Sequence, residues 1–362
     1  MPLRDEPTDR LEHASPPYCG LGQVALSYGR WYASQEKDMP QGMKPTLLVP
    51  AEWVGKFGGG VDYLQARDIY RFCPQLMPHF EVWHSIHQFS PFRPASRSTR
   101  RILTIHDVNF IYEKQGRKRQ RYLRRLQREC DSAECLCFIS QFALEDASRC
   151  LHFGGKPTQV IYNGVADTTR GEQRRPAAVG EEERFLLSLG VVKAKKNLHV
   201  LLPMMQRLEG YSLVIAGDAR GEYAEQLRAM AEGMSGVRLI GTVSEEERRW
   251  LYAHCAGLLF PSVAEGFGLP VVEAMQWGKP VFCSTATSLP EVGGKMAYYF
   301  ESFEPAAMAE VVACGLSTFG AAEAEAARRR AAQFSLDAHM QTYWRLYGSM
   351  LGSELPRVSS LQ

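Results

Sequence analysis

The sequence has no run of about 18 apolar residues, the length a helix needs to span a bilayer. Its first residues, Met1–Asp9, are too polar for a secretory signal peptide. The nine cysteines include no C-x-x-C pair, and their odd number fits neither a disulfide framework nor a zinc site. A D-x-D motif and a His/Asp cluster are also missing, so we expect no metal. These absences predict a cytosolic protein with reduced cysteines, whose contact with any membrane is peripheral.

The composition is that of a globular enzyme large enough for two domains. The chain has 362 residues, of which 45% are apolar and 23% are charged. A net charge of +2 gives no reason to expect a polyelectrolyte partner.

The chain is organised around residues 257–282. Gly257–Phe260 is an apolar run typical of a buried strand, and a glycine-flanked loop follows it. Pro270 is predicted to open a helix, at a position where its missing N–H costs nothing. Glu265 then lies on the loop, and Glu273 is predicted within the first helical turn.

This arrangement predicts a site for an anion that carries hydroxyl groups. The amides around Phe267, Gly268 and Leu269 would lie at the positive end of the helix dipole, where anions bind. The two carboxylates would accept hydrogen bonds from hydroxyls. A nucleotide sugar has this shape, with a diphosphate between a ribose and a hexose. The alternative is an ordinary surface loop and helix, which requires spacing, glycines and strand context to agree by accident.

A rival class, the dehydrogenases, is raised by a second glycine motif. Gly20-Leu-Gly22-Gln-Val-Ala25 fits the dinucleotide fingerprint G-x-G-x-x-A. That fingerprint needs an apolar strand directly before it, but Pro16 and Pro17 stand where ladder N–H groups are required. The context therefore argues against a dehydrogenase.

Both halves of the chain alternate strands with helices, which predicts parallel sheets. In the first half a helix is predicted at 23–36, and the clearest strand, 101–107, ends on His106 and Asp107. A lone histidine is as often structural as functional. In the second half a helix is predicted at 197–208, directly after Lys193, Lys195 and Lys196. Cations before a helix start oppose its dipole unless an anion lies between them, which favours a diphosphate site.

Basic residues dominate the stretch Lys114–Arg128, which is predicted to form a helix with a narrow apolar stripe. A solvated helix face is one interpretation. The other is a peripheral site for anionic lipid head groups. Nucleic acid is not an expected partner, because no recognition motif accompanies the basic residues.

Residues Glu265–Val281 read E-G-F-G-L-P-V-V-E followed by A-M-Q-W-G-K-P-V. This pattern resembles the Glu-x7-Glu signature of the retaining glycosyltransferases of family 4, the group 1 glycosyltransferases, which have the GT-B fold. The resemblance covers residues 20–352 and implies an α/β protein with two Rossmann-like parallel-sheet domains facing a central cleft. It implies an N-terminal acceptor-side domain at 1–166, a linker at 167–183, a C-terminal nucleotide-sugar-binding domain at 184–334, and a C-terminal helix at 335–362 that returns to the first domain.

The resemblance also implies the roles of individual residues. His106 would contact the donor sugar, Lys196 the diphosphate, and Glu273 the ribose. The implied catalytic residues are His106, Glu265 and Lys196. The implied donor-binding residues are Gly20, Gly22, Lys195, Lys196, Gly266, Phe267, Gly268, Leu269 and Glu273.

Two departures from the family pattern bear on these roles. Members often carry arginine after the glycine that ends the first strand of the second domain. Here Gly190 is followed by Val191, so Lys193 or Lys195 supplies the second charge, or the charge is absent. A clear first strand is also missing, so it is degenerate around Thr8–His13 or the sequence starts downstream of the true beginning.

The implied function is retaining, metal-independent transfer of a hexose of the mannose or glucose type. The donor would be a nucleoside diphosphate sugar, GDP-mannose or a UDP-linked hexose, and no other cofactor is expected. The acceptor would be a glycan or lipid-linked acceptor in the assembly of cell-surface polysaccharide or lipopolysaccharide. The alternatives are a nucleotide-sugar epimerase or phosphorylase-like enzyme of the same fold, and a non-catalytic nucleotide-sugar binding protein. The intact Glu265, Glu273 and Lys196 argue against lost activity.

Overall fold

The computed structural model of the protein describes residues 20–34, 45–180 and 184–352. The chain divides into two compact units: unit 1 comprises Met1–Gly164 and Leu336–Gln362, and unit 2 comprises Val165–Ser335. The stretch predicted as a linker therefore belongs to unit 2, where Thr168 Oγ1 donates to Gln276 Oε1 at 2.8 Å. The strand expected around Thr8–His13 lies outside the described residues.

Unit 1 begins, in its described part, with a helix at the position of the second glycine motif. This helix is α1 (Gly20–Ser34), which starts three residues earlier than predicted. The elements that follow are β1 (Thr46–Val49), β2 (Asp62–Gln65), α2 (Ile69–Phe72), β3 (Val82–Ser85), β4 (Arg100–Ile105), α3 (Phe110–Glu113), α4 (Gly116–Ser132), β5 (Cys135–Phe138), α5 (Gln141–Ser148) and β6 (Thr158–Val160).

Unit 2 continues the alternation. Its elements are β7 (Phe185–Leu189), α6 (Leu201–Met205), β8 (Ser212–Ala216), α7 (Glu222–Ala231), β9 (Val237–Gly241), α8 (Glu245–His254), β10 (Gly257–Phe260), α9 (Leu269–Gln276), β11 (Val281–Ser284), α10 (Leu289–Gly293), β12 (Ala297–Phe300), α11 (Pro305–Thr318) and α12 (Ala321–Ala332). The last helix, α13 (Leu336–Leu351), is part of unit 1.

The described strands of unit 1 form a four-stranded parallel sheet in the order β3-β4-β5-β6 and a separate parallel pair, β1-β2. β5 is buried along its whole length, and its sequence C-L-C-F is apolar without alternation, as a strand covered on both faces requires. Helix α13 packs against α1 and β3, with Tyr343 fully buried.

Unit 2 contains a six-stranded parallel sheet in the order β12-β11-β10-β7-β8-β9. Strands β7, β8 and β9 extend in one direction, and β10 then returns to the other side of β7. Leu186, Leu213, Leu259 and Phe282, from the four central strands, belong to one buried core cluster. The sheet thus reverses its direction of growth between β7 and β10, which positions the site described below.

Two expectations drawn from absences can be compared with the structure. All cysteines among the described residues are free thiols. In the same part of the chain, no single helix is both long and apolar enough to cross a bilayer; Pro305–Thr318 and Ala321–Ala332 meet that test only when taken together across a bend of 105°.

Candidate functional site

The candidate site lies at the carboxyl end of the unit 2 sheet, where the loops after β7, β10 and β11 come together. Parallel sheets hold their ligands at the point where the strand order reverses, because the neighbouring loops diverge there and leave a crevice. That point lies between β7 and β10. The Val263 N–H donates to the Lys195 carbonyl at 2.9 Å, which joins the two loops across the reversal.

Glu265 and Lys196, which the sequence predicted as catalytic residues, form an ion pair in this crevice. Lys196 Nζ donates to Glu265 Oε1 at 2.5 Å, and the Glu265 residue is 9% exposed. Ser262 Oγ lies 2.6 Å from Glu265 Oε1 and 3.0 Å from the Lys195 carbonyl, so the shorter contact favours donation of its single proton to the carboxylate. Within the described residues no hydrogen bond reaches Glu265 Oε2, which leaves this oxygen as an acceptor for a hydroxyl.

The lysine loop differs from the predicted helix at 197–208. Ala194–Lys196 and Leu198–Val200 are 3₁₀ turns separated by Asn197 in the left-handed conformation, with φ 55°. The α-helix starts at Leu201, so the prediction that Asn197 begins a helix is wrong. A helix that began at Asn197 would need the N–H of residue 203, which proline lacks, so the α-helix begins only at Leu201, with Pro203 in its first turn. The anion-binding argument from a helix start after the lysines therefore fails, and the positive charge comes from side chains.

The ammonium group of Lys196 lies over an aromatic ring. Its Nζ lies 4.7 Å from the centroid of the Phe260 ring, a cation–π contact. Gly190, at the end of β7, has φ 141°, and a Cβ there would come within 3.8 Å of Lys196 Nζ. The ammonium group is thus restrained by a ring and a carboxylate.

Glu273 occupies a different position from the one predicted. The α9 helix starts at Leu269, so Glu273 is its fifth residue and lies beyond the first turn. Its Oε1 accepts from Arg248 Nη1 at 3.0 Å, and its Oε2 accepts from the Tyr252 hydroxyl at 2.7 Å. The Glu273 carboxylate raises the pKa of Arg248, and burial raises the pKa of Tyr252, so both donors keep their protons. Each carboxylate oxygen has a second lone pair, which is what a ribose hydroxyl would use.

The glycine loop before α9 is shaped by packing. Gly268 has φ 103°, and a Cβ there would lie 2.8 Å from Leu289 Cδ2. The Phe267 ring is 3% exposed and packs edge-to-face on Phe334, with centroids 5.5 Å apart. A contact from Phe267 to a donor would therefore come from its backbone.

The ends of β7 and β8 approach each other closely. A Cβ on Gly217 would lie 2.0 Å from the Gly190 carbonyl oxygen, so glycine is required at position 217. Next to it, Asp218 pairs with Arg220 through two hydrogen bonds, of 2.7 and 2.5 Å. This pairing lowers the pKa of Asp218 below its ordinary value.

Unit 1 holds the remaining predicted site residues. Gly20 and Gly22 lie in the first turn of α1, rather than in a loop that precedes a helix. Asp107 Oδ1 accepts from the Asn109 N–H at 3.1 Å, a contact that orients the loop after β4.

His106 follows β4 at the carboxyl end of the unit 1 sheet, and it is 8% exposed. Its Nε2 lies 2.7 Å from the Ile86 carbonyl, which can only accept, so Nε2 carries the proton and Nδ1 is the acceptor nitrogen. Burial lowers the pKa of His106 below its ordinary value, so the ring is neutral at pH 7.

A buried polar network joins α13 to the rest of unit 1. His84 is hydrogen-bonded at Nδ1 to the Tyr347 hydroxyl and at Nε2 to Thr104 Oγ1, both at 2.7 Å. Because both ring nitrogens are occupied, His84 has a structural role. His339 on α13 is hydrogen-bonded to Tyr28. Burial lowers the pKa of His84 to about 3 and that of His339 to about 4.

The basic helix predicted at 114–128 is α4, and part of its charge is used inside unit 1. Arg125 donates to the Phe89 carbonyl at 2.8 Å and lies over the Phe89 ring. Arg93 and Arg101, which precede α4, pair with the buried Glu129. The basic residues of α4 that are exposed are Arg117, Lys118, Arg119, Arg121, Arg124 and Arg128.

Sequence reasoning missed several residues that build the site. Arg248 and Tyr252 lie one helical turn apart on α8, and both reach Glu273. Ser262 and Thr287 bind Glu265 from two different loops. The spacing of Arg248 and Tyr252 on one helix face was a detectable signal, whereas nothing local links Thr287 to Glu265, 22 positions away.

Part of unit 2 is similar to a known protein family. Residues 169–318 match the family model described as glycosyl transferases group 1. The matched range contains the Lys196–Glu265 pair and Glu273.

Relatives of known function are similar over part of their length. The chain is 30% identical to the O-antigen chain mannosyltransferase B of Escherichia coli over 236 residues, which cover 59% of this chain and 59% of the relative. It is 26% identical to the O-antigen chain mannosyltransferase RfbU of Salmonella typhimurium strain LT2 over 202 residues, which cover 54% of this chain and 55% of the relative. The matches thus span less than two thirds of these proteins.

A solved structure matches nearly the whole chain. The structure of Anabaena Alr3699/HepE in complex with UDP and glucose has a TM-score of 0.70 at 17% identity, and the match covers 92% of this chain and 97% of that one. Similarity at this identity shows the fold. It confirms the predicted GT-B class, with two Rossmann-like parallel-sheet units.

Proposed function

We propose, because residues 169–318 match the model of the group 1 glycosyl transferases, that the protein transfers a hexose from a nucleoside diphosphate sugar to a glycan or lipid-linked acceptor. The observation that carries the proposal is the Lys196–Glu265 pair, placed where the unit 2 sheet reverses. A cation and a carboxylate at one crevice suit a ligand that presents phosphate oxygens beside hydroxyls.

Lys196 would act on the leaving group. An ammonium group has three N–H donors, and the contact with Glu265 uses one, so two can be directed to phosphate oxygens. When the anomeric C–O bond breaks, the diphosphate gains negative charge. A cation already fixed by Phe260 and Glu265 then stabilises the transition state more than the ground state, which is how it accelerates the reaction.

Glu265 would act on the sugar. Its Oε1 is held by Lys196 and Ser262, while Oε2 can accept from a sugar hydroxyl. As the sugar becomes cation-like, a fixed carboxylate beside it attracts it more strongly. For His106, the neutral ring with an acceptor at Nδ1 is compatible with a contact to a sugar hydroxyl, and the resemblance supports that role.

Retention of the anomeric configuration and independence of metal ions are further parts of the proposal, and the resemblance supports them. The donor phosphate would take the acceptor proton during front-side attack. Two measurements check these parts: NMR of the product gives the anomeric configuration, and the transfer rate in EDTA should equal the rate without it.

The names of the relatives support one choice of sugar and of biological process. Two of them are named O-antigen chain mannosyltransferases, which supports mannose as the hexose and lipopolysaccharide assembly as the process. The proposed location is the cytoplasm, with peripheral attachment to the inner face of the membrane through α4. The exposed arginines of α4 and the reduced cysteines support this location.

Thermal unfolding with candidate donors tests the proposal. A ligand at 100 times its dissociation constant stabilises a protein by about 2.7 kcal/mol, which raises the melting temperature measurably. GDP-mannose or UDP-glucose should raise it, whereas NAD should not. Hydrolysis of the effective donor without acceptor then separates a transferase from a binding protein. A rise with NAD and none with any nucleotide sugar would overturn the proposal.

A further inference from the structure

Thr287 has a backbone conformation that its residue type disfavours. Its φ is 55°, and Thr287 and Asn197 are the non-glycine residues with positive φ in the part of the chain that the structure describes. Asparagine tolerates this conformation, but a β-branched residue there is a genuine outlier. Such strain persists where the surrounding structure gains from the side chain that imposes it.

What the structure gains is a hydrogen bond to the central carboxylate residue. The Glu265 N–H donates to Thr287 Oγ1 at 3.0 Å. The next residue, Ser288, is fully buried, and its Oγ lies 3.1 Å from both the Glu265 and the Phe267 carbonyls. Two adjacent residues after β11 therefore hold the backbone of Glu265 at its N–H and at its carbonyl.

A glycine at position 287 would adopt φ 55° without strain, but it would leave the Glu265 N–H without its acceptor. Threonine supplies the acceptor, and its β-branch restricts χ1, so the hydroxyl is aimed in one direction. The side chain of Glu265 is held separately, by Lys196 and Ser262. Hydrogen bonds to the backbone of Glu265 and to its side chain together fix the position of the carboxylate.

We propose that Thr287 is a positioning residue for hexose transfer. Its hydroxyl, held by the strained backbone of Thr287, accepts a hydrogen bond from the Glu265 N–H and so fixes the position of the Glu265 carboxylate. The proposal rests on the proposed function and extends it to a residue outside the glutamate motif. Catalytic groups lose about a hundredfold in rate when they are displaced by about 1 Å, so a residue that sets the Glu265 backbone affects turnover without touching the substrate.

Three variants separate the hydroxyl from the backbone strain. Thr287→Val keeps the β-branch and the strain but removes the hydroxyl, Thr287→Gly removes both, and Thr287→Ser keeps the hydroxyl. The turnover of donor hydrolysis should fall at least about tenfold in the Val and Gly variants, and the Ser variant should recover most of the rate. The donor dissociation constant from calorimetry should change less than about threefold. Thr285→Val, at an exposed position in the same loop, is the matched control and should behave as wild type.

A double-mutant cycle tests whether the effect passes through Glu265. In a Glu265→Gln background, Thr287→Val should cause little further loss, because the group it positions is already disabled. An equal fold-loss in both backgrounds would overturn the proposal, as would wild-type turnover in the Val and Gly variants. If Val fails to fold, the Gly and Ser pair decides, because both relieve the strain of the β-branch. A wild-type protein that binds and hydrolyses no nucleotide sugar contradicts the proposed function instead, so the two failures are distinct.

Discussion

At the residue scale, the site depends on how two buried carboxylates are held. Glu265 is paired with a lysine that the donor would also bind, so this pair must share Lys196 between a carboxylate and a diphosphate. Glu273 is paired with Arg248 and Tyr252 from a packed helix, so its partners are structural. We therefore expect mutation of Glu265 to affect mainly turnover, and mutation of Glu273 to affect stability as well as donor binding.

Glu265→Gln is expected to reduce turnover about a hundredfold or more while raising the donor dissociation constant by much less. The amide keeps the size of the side chain but loses the charge that attracts a cation-like sugar. Steady-state kinetics and calorimetry with the effective donor measure the two quantities. A loss of affinity in full proportion to the loss of rate would make Glu265 a binding contact only.

Glu273→Ala is expected to destabilise the protein as well as weaken donor binding. The substitution takes from Arg248, whose side chain is 16% exposed, its more buried carboxylate partner, and it leaves the buried Tyr252 hydroxyl without its acceptor. Arg248 keeps only the more exposed Glu245, so we expect a cost of about 3 kcal/mol. Urea unfolding measures the effect, and Glu245→Ala is the control, because it removes a more exposed partner of the same arginine and should cost below about 1 kcal/mol. Equal stabilities of the two variants would contradict this account.

The sequence predicted Glu265, Glu273 and Lys196 because each lies in a motif whose spacing carries the chemistry. Thr287 could not be predicted in the same way. Its contact with Glu265 depends on which loops meet at the sheet edge, and residue order does not specify this. The shared face of Arg248 and Tyr252 on α8 marks the pair but not its partner, Glu273.

At the element scale, we expect the exposed arginines of α4 to bind anionic membranes. Replacing the exposed Arg117, Arg119, Arg124 and Arg128 with Gln should lower binding to vesicles of phosphatidylglycerol and phosphatidylcholine at least about a hundredfold, since each basic residue near the surface adds roughly 1 kcal/mol. Arg125 stays unchanged because it supports Phe89. Sedimentation at two salt concentrations measures the binding.

The control for this test removes the same charge elsewhere. Arg170, Arg207, Arg328 and Arg329 are exposed in unit 2, and their replacement with Gln should leave vesicle binding nearly unchanged. If both sets reduce binding equally, the attraction comes from net charge rather than from α4.

We expect the buried His339 of α13 to make the stability of the protein depend on pH. The pKa of His339 is lowered from 6.5 to about 4 in the folded protein, so between these values the unfolded state binds more protons. The contribution of the neutral His339 to stability is therefore fully present above pH 6.5 and is lost as the pH falls toward 4. Thermal unfolding between pH 7 and 4.5 should show this decline, and His339→Gln should show a shallower one. Parallel curves for the two proteins would contradict the assignment.

Elements were predicted where periodicity and boundaries agree. The sequence pattern predicts a strand at Val237–Gly241 and a helix at 245–254, and β9 and α8 have these bounds, because Gly241 and a capping serine, Ser244, mark the strand end and the helix start. The helix expected from Asn197 was wrong, because Pro203 and a left-handed Asn197 replace it with short turns. Strand β2 was not predicted, because its sequence D-Y-L-Q has too few apolar residues to mark it.

At the scale of the whole molecule, the alternation of strands and helices in each half predicted two parallel-sheet units, and the structure contains them. The alternation could not predict the order of the strands within each sheet. Alternation is the same whether β10 joins the sheet next to β9 or next to β7, and it is the second arrangement that brings Lys196 to Glu265. The site is therefore a consequence of the topology as much as of the motif.

The central claim is that this crevice transfers hexose from a nucleotide sugar, and the release of nucleoside diphosphate tests it most directly. Wild-type protein should release GDP from GDP-mannose or UDP from a UDP-hexose, and Lys196→Ala should release it about a hundredfold more slowly or worse, because the fixed cation beside the leaving group is lost. Unchanged release by the Lys196→Ala variant, or no release from any of these donors by the wild type, would contradict the account.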